Sequence, residues 1–215
     1  MRTRSVTITT TDDVRLEGRL AMPDGDPRGG VVICHPHPQF GGSMSSSLVP
    51  VIQRAVVARG WAALRFNFRG AGRSEGRYER GTGELKDAAA AVELLAQEIG
   101  DLPLAIAGWS FGSLVALAVA VSDPRIRAYA GIAPPVVMRH SVDLPPLPPP
   151  ERLAAWTGRA VGICGTTDPY CTPKALEEWL GHIPGAQMQI FDGEDHFFST
   201  SKGELAETVA DFLVA

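Results

Sequence analysis

The chain has 215 residues, enough for one sizeable hydrophobic core and short for two domains, so one domain is expected. Apolar residues make up 45% and charged residues 20%, which excludes a disordered chain, and a net charge of -4 disfavours nucleic acid as a partner. No apolar run approaches the roughly 18 residues of a membrane span, and residues 1–10 hold no apolar signal core, so neither insertion nor export is expected.

The first elements alternate polar and apolar residues. Residues 5–10 (SVTITT) and 15–22 (RLEGRLAM), joined by a polar TDD turn, read as an antiparallel hairpin. A loop rich in Pro, Gly and Asp follows at 23–30, and the pattern then changes. Residues 30–34 (GVVIC) form a continuous apolar run, as in a strand buried on both faces. Residues 43–59 are apolar along one side and stop at Gly60, a helix with its terminator. Residues 61–66 (WAALRF) give the next strand, 83–99 a helix, 102–107 (LPLAIA) a buried strand and 110–121 a buried helix. Strands at 126–132, 161–164 and 187–191 alternate with helices at 173–182, which has Pro173 in its first turn, and 204–214. This rhythm predicts an α/β fold with a mostly parallel sheet of about seven or eight strands and helices on both faces. Residues 133–150, with the run LPPLPPP, read as a stiff polyproline-like excursion, in which His140 is expected to face solvent.

The chemistry centres on Gly108-Trp109-Ser110-Phe111-Gly112, a G-x-S-x-G sequence between a buried strand and a buried helix. That context is what a nucleophilic serine on a sharp strand-to-helix turn requires. Its hydroxyl needs an adjacent base. Of five histidines, His196 follows the last core strand and precedes the last helix. His182 ends a helix, where a cation suits the dipole. The loop after residues 161–164 reads GTTDPYCTP and holds a single carboxylate, Asp168, placed to orient the imidazole. Asp192, Glu194 and Asp195 lie near His196 in sequence, but turn or capping roles explain them more simply.

Two backbone donors are needed for a developing oxyanion. Phe111 N–H supplies one. The other is expected from the loop His35-Pro-His-Pro-Gln-Phe-Gly-Gly, in which Pro36 and Pro38 have no N–H, leaving His37 first, Gln39 second, then Phe40. His35 and His37 lack a third ligand, so no metal is expected, and no cofactor motif is present. The turn NFRGAGRSEG at 67–76 matches no phosphate motif; Arg69 in it pairs with a carboxylate or with backbone carbonyls. Cys34, Cys164 and Cys171 form no CxxC pair, Cys34 and Cys164 close apolar runs as small buried hydrophobes, and the set fits a reducing cytoplasm.

In the order HPHPxxGG, NFRGxGxSxG, GxSxG, GxxD and DHFF, nearly the whole chain resembles the α/β-hydrolase superfamily, and within it the short lidless bacterial serine hydrolases related to dienelactone hydrolases and carboxylesterases. The resemblance implies an esterase or thioesterase with Ser110, Asp168 and His196 as its triad, and a small acyl substrate as its partner. Dienelactone hydrolases carry cysteine at the nucleophile position, and dehalogenases and soluble epoxide hydrolases aspartate; Ser110 departs from all three. Only residues 133 to about 156 are free to form a cap, so an open site is expected. Two other readings stand beside the esterase: a ligand-binding protein on a hydrolase fold, and an acyltransferase in which an alcohol replaces water.

Overall fold

A computed structural model describes residues 1–137, 144–145 and 147–215; His140 and part of the proline-rich stretch lie outside the described residues. Strand β1 (Arg2–Thr9) runs antiparallel to β2 (Arg15–Met22), from Arg2 opposite Met22 to Thr9 opposite Arg15. Asp13 takes the positive φ of 62° that their tight turn needs, and Thr10 N–H reaches Val14 O at 3.0 Å. The other strands are β3 (Gly30–Cys34), β4 (Ala62–Phe66), β5 (Leu104–Trp109), β6 (Ile126–Ile132), β7 (Arg159–Gly165) and β8 (Gln187–Phe191). Among the described residues they form one eight-stranded sheet in the order β1-β2-β4-β3-β5-β6-β7-β8. Strands β3 to β8 pair in parallel, while β2 joins β4 antiparallel.

Alternation along the central strands divides the core into two layers. Val31, Ile33, Ala105 and Ala107 face helices α1 (Leu48–Ala58) and α6 (Lys202–Val214). Val32, Cys34, Leu104 and Ile106 face α2 (Thr82–Ile99), α3 (Phe111–Ser122) and α5 (Pro173–Leu180). With both faces covered, β3 and β5 are buried at every residue, which is why they read as unbroken apolar runs. A short helix, α4 (Pro150–Ala155), follows the proline-rich stretch; Pro150 occupies its first turn, where a missing N–H costs nothing.

Several expected boundaries shift. Helix α1 begins at Leu48 and not at residue 43, because the serine segment folds as tight turns: Ser46 N–H donates to Ser43 O at 2.9 Å in an i→i+3 turn, and Ser43 N–H donates to Ser46 Oγ at 3.0 Å and Ser45 N–H to Ser43 Oγ at 3.2 Å. Strand β5 starts after Pro103 and runs on to Trp109, so its end delivers Ser110 directly into α3. Helix α5 stops at Leu180, two residues before His182. The order β4-β3-β5 reverses direction at β3, leaving a crevice beyond the carboxyl ends of β3 and β5, where open α/β sheets bind ligands.

Candidate active site

Ser110 sits in that crevice with φ 55° and ψ -122°, a conformation that costs a non-glycine residue about 1–3 kcal/mol. Close packing holds it there. A Cβ on Gly108 would lie 2.1 Å from Gly112 O, and one on Gly112 would lie 2.4 Å from His35 O and 2.5 Å from Cys34 O. Both glycines of the pentapeptide are therefore steric necessities of strand and helix meeting at a sharp angle. Ser110 N–H stays in the sheet ladder, donating to Ile132 O at 2.8 Å.

From Ser110 a line of hydrogen bonds runs inward. Ser110 Oγ lies 2.9 Å from His196 Nε2, and His196 Nδ1 lies 2.8 Å from Asp168 Oδ2. The carboxylate accepts the Nδ1 proton, leaving Nε2 to accept from the serine hydroxyl. Asp168 is buried, and its second oxygen accepts Tyr170 N–H at 2.8 Å and Cys171 N–H at 3.2 Å. One residue thus forms the turn and orients the imidazole. Asp192 accepts the Thr166 hydroxyl, Asp195 accepts Phe197 N–H, and Glu194 holds Thr200. These are loop-building roles, as their place in the sequence led us to expect.

The loops carrying Asp168 and His196 are stitched together. Thr166 N–H donates to Phe191 O at 3.0 Å, and Thr167 reaches Glu194 O with its N–H at 3.0 Å and its hydroxyl at 2.8 Å. Phe198, buried at φ 50°, anchors the far end of the histidine loop against Phe191. Trp109 fixes the histidine itself: its indole Nε1–H donates to His196 O at 3.1 Å. The ring of Tyr170 stands edge-on to His196 with centroids 5.0 Å apart. Neither contact was foreseen, although Trp109 lies inside the G-x-S-x-G sequence and Tyr170 two residues after Asp168.

Across Ser110 stands the loop after β3. Phe111 N–H is the first amide of α3, so no earlier helical carbonyl is its partner, and the helix dipole points positive there. In the 3-10 turn Pro38–Phe40, Gln39 N–H donates to His37 Nδ1 at 3.2 Å, while Phe40 N–H and Gly42 N–H donate to His37 O at 3.1 Å and 3.0 Å. The loop therefore uses the Gln39 and Phe40 amides internally, which removes both from the expected second oxyanion donors. His35 and His37 do not converge as a metal pair. His35 lies buried, with Nδ1 2.6 Å from Pro36 O and Nε2 accepting Phe68 N–H at 3.0 Å. It ties the loop after β3 to the turn after β4, where Arg69 pairs with carboxylates, one of its two expected partners.

Burial holds the His35 ring neutral and lowers its pKa from 6.5 to about 4. The unfolded chain therefore takes up this proton first as pH falls. Stability from this group is complete above pH 6.5 and is lost between 6.5 and 4, about 3 kcal/mol in all. Urea midpoints of wild type and His35→Gln at pH 7 and pH 4 test this: the wild type is expected to lose more on acidification, and parallel losses would refute it.

Ser110, His196 and the loop after β3 line a cavity of about 480 Å³, with walls from Trp109, Phe111 and Tyr170 among others. Among the described residues no group of three or more His, Cys, Asp or Glu is placed to hold a metal ion, and no helix is long and apolar enough to cross a membrane.

The model of the family described as serine aminopeptidase, S33, matches residues 25–163. An uncharacterized protein of Rickettsia prowazekii (strain Madrid E) is 32% identical over 204 residues, spanning 93% of this chain and 84% of its own. A protein of unknown function from Agrobacterium tumefaciens has a similar structure, with a TM-score of 0.85 at 29% identity over 98% of this chain and 94% of that one. A serine hydrolase without a lid from Xanthomonas campestris gives a TM-score of 0.81 at 25% identity, over 98% and 93% of the two chains.

Proposed function

The chain belongs to the serine aminopeptidase, S33, family and has the α/β-hydrolase fold, and from its site we propose that it is a serine hydrolase cleaving carboxylic esters through an acyl-enzyme on Ser110. The observation that carries the reading is the unbroken line Ser110–His196–Asp168, at the head of a strained elbow and open to a cavity.

In this reading His196 Nε2 takes the Ser110 proton as Oγ attacks the ester carbonyl. Asp168 stabilises the imidazolium through Nδ1. Phe111 N–H and His37 N–H hold the oxyanion, already oriented by α3 and by the proline-braced loop. The imidazolium then protonates the leaving alcohol, and a water activated by His196 releases the acid. A thioester passes through the same steps. The partner is thus a small acyl substrate. Three cysteines, all buried and none in a disulfide, support a place in a reducing compartment, the cytoplasm.

A fluorophosphonate probe with intact-mass and peptide mapping tests the proposal. The wild type is expected to gain one adduct on Ser110, and His196→Ala to react far more slowly. No adduct, or one indifferent to His196, would overturn the reading in favour of a binding protein.

A further inference from the structure

Among the described residues seven large apolar side chains are exposed, and four of them gather at the mouth of the site, the others being Met1 and, on edge strand β8, Met188 and Ile190. Phe40 is 74% exposed, Phe197 54% and Tyr170 37%, and all three line the cavity of Ser110. Exposed Val137 lies at the same edge, its N–H donating to Tyr170 O at 3.1 Å. Such a cluster around a cavity marks a binding surface.

The aromatic groups form two walls. On one side Phe40 packs against His37, the rings tilted at 42° with centroids 4.6 Å apart, and His37 in turn meets Phe111 at 4.9 Å. On the other, Phe197 stands edge-on to Trp109 at 6.1 Å and to His196 at 5.6 Å. Topology keeps the walls apart: the Phe40 loop follows β3, one neighbour of the nucleophile strand β5, while Phe197 follows β8, three strands away on the other side. Ser110 lies between them. Among the described residues the lining holds no Lys, Arg, Asp or Glu. Burying a carboxylate or an ammonium without a charged partner is strongly unfavourable.

We infer that the substrate is a neutral ester whose apolar body, an aromatic ring or a medium alkyl chain, is clamped between Phe40 and Phe197. The inference rests on the serine-hydrolase reading above and deepens it. Flat apolar groups gain both area burial and edge or face contact with the two rings. A peptide with a free amino terminus needs a carboxylate to receive its ammonium, and a dicarboxylic half-ester needs a cation; the described lining provides neither. Phe40 and Phe197 are accordingly the specificity-determining residues, and their contribution is made in binding.

The test compares kcat/KM for p-nitrophenyl acetate, butyrate and hexanoate with p-nitrophenyl hemisuccinate and an alanine p-nitrophenyl ester bearing a free amine. Wild type is expected to favour hexanoate over acetate by about 10-fold or more, and butyrate over either charged ester by about 100-fold. In Phe40→Ala/Phe197→Ala the hexanoate-to-acetate ratio is expected to fall about 10-fold through KM, with partial recovery in Phe40→Leu/Phe197→Leu. A flat chain-length profile, a ratio untouched by the double exchange, or charged esters cleaved as fast as neutral ones overturns the clamp and leaves the serine hydrolase standing. No turnover of any ester, with no fluorophosphonate adduct on Ser110, overturns both.

Discussion

Replacing Ser110 with alanine is expected to lower kcat for an activated ester by about 10⁶-fold, and His196→Ala alone, or the two together, by about the same factor. The equality follows from the geometry. The serine hydroxyl and the imidazole are 2.9 Å apart and act in a single step, so losing either removes the whole nucleophilic route. Asp168→Asn is expected to cost less, about 10⁴-fold. Its amide would still accept Tyr170 N–H and Cys171 N–H through oxygen, preserving the turn. It would then present NH₂ to His196 Nδ1, forcing the proton to Nε2, where the ring no longer accepts from Ser110. The residual rate in every variant comes from the oxyanion donors and from binding in the cavity. Single-turnover rates of the four variants, with melting temperatures to confirm folding, check this. Multiplying losses for Ser110→Ala and His196→Ala would show that the pair does not work as a unit.

Why Ser110, His196 and Asp168 could be read from the chain is itself a structural matter. An α/β sheet with covered faces turns each central strand into a short apolar run, and the residue leaving such a strand falls at the crevice. Ser110 leaves β5, Asp168 follows β7 and His196 follows β8, so rank order along the chain placed all three beside one another. Local chemistry set the limits of that reading. The start of α1 was obscured because the serines at 43, 45, 46 and 47 look helix-compatible by pattern while their hydroxyls compete for backbone amides. In the loop after β3 the residue types ranked the donors, His37 before Gln39 and Phe40, but did not show the use of the Gln39 and Phe40 amides by His37, which depends on how the loop folds back on itself. Contacts between residues distant in the chain left no local trace: the indole of Trp109 on the His196 carbonyl spans 87 residues, and Arg69 reaches Asp12 across 57.

The Arg69 cluster carries the largest expected loss of stability. Its guanidinium is wholly buried and donates to Asp87 Oδ1 at 2.9 Å and 2.7 Å, while Arg69 N–H donates to Asp87 Oδ2 at 2.8 Å. Asp87 is equally buried, whereas the other partners, Asp12 and Glu79, are partly in water. Asp87→Ala would leave a buried cation facing only those half-solvated carboxylates and an amide without its acceptor. The expected cost is about 3–5 kcal/mol, or roughly a 10 °C fall in melting temperature for a chain of this size. Exchanging both partners for apolar residues, Arg69→Met with Asp87→Leu, is expected to recover most of the loss, since it removes the stranded charge as well as the pair. The position of the cluster links this to the site. Arg69 follows Phe68, whose amide binds His35, and His35 precedes the loop with His37, the proposed oxyanion donor. Calorimetry of the single and double variants decides the matter: a double variant as unstable as Asp87→Ala would mean that the pair is needed for the geometry of this turn and not merely to neutralise a charge.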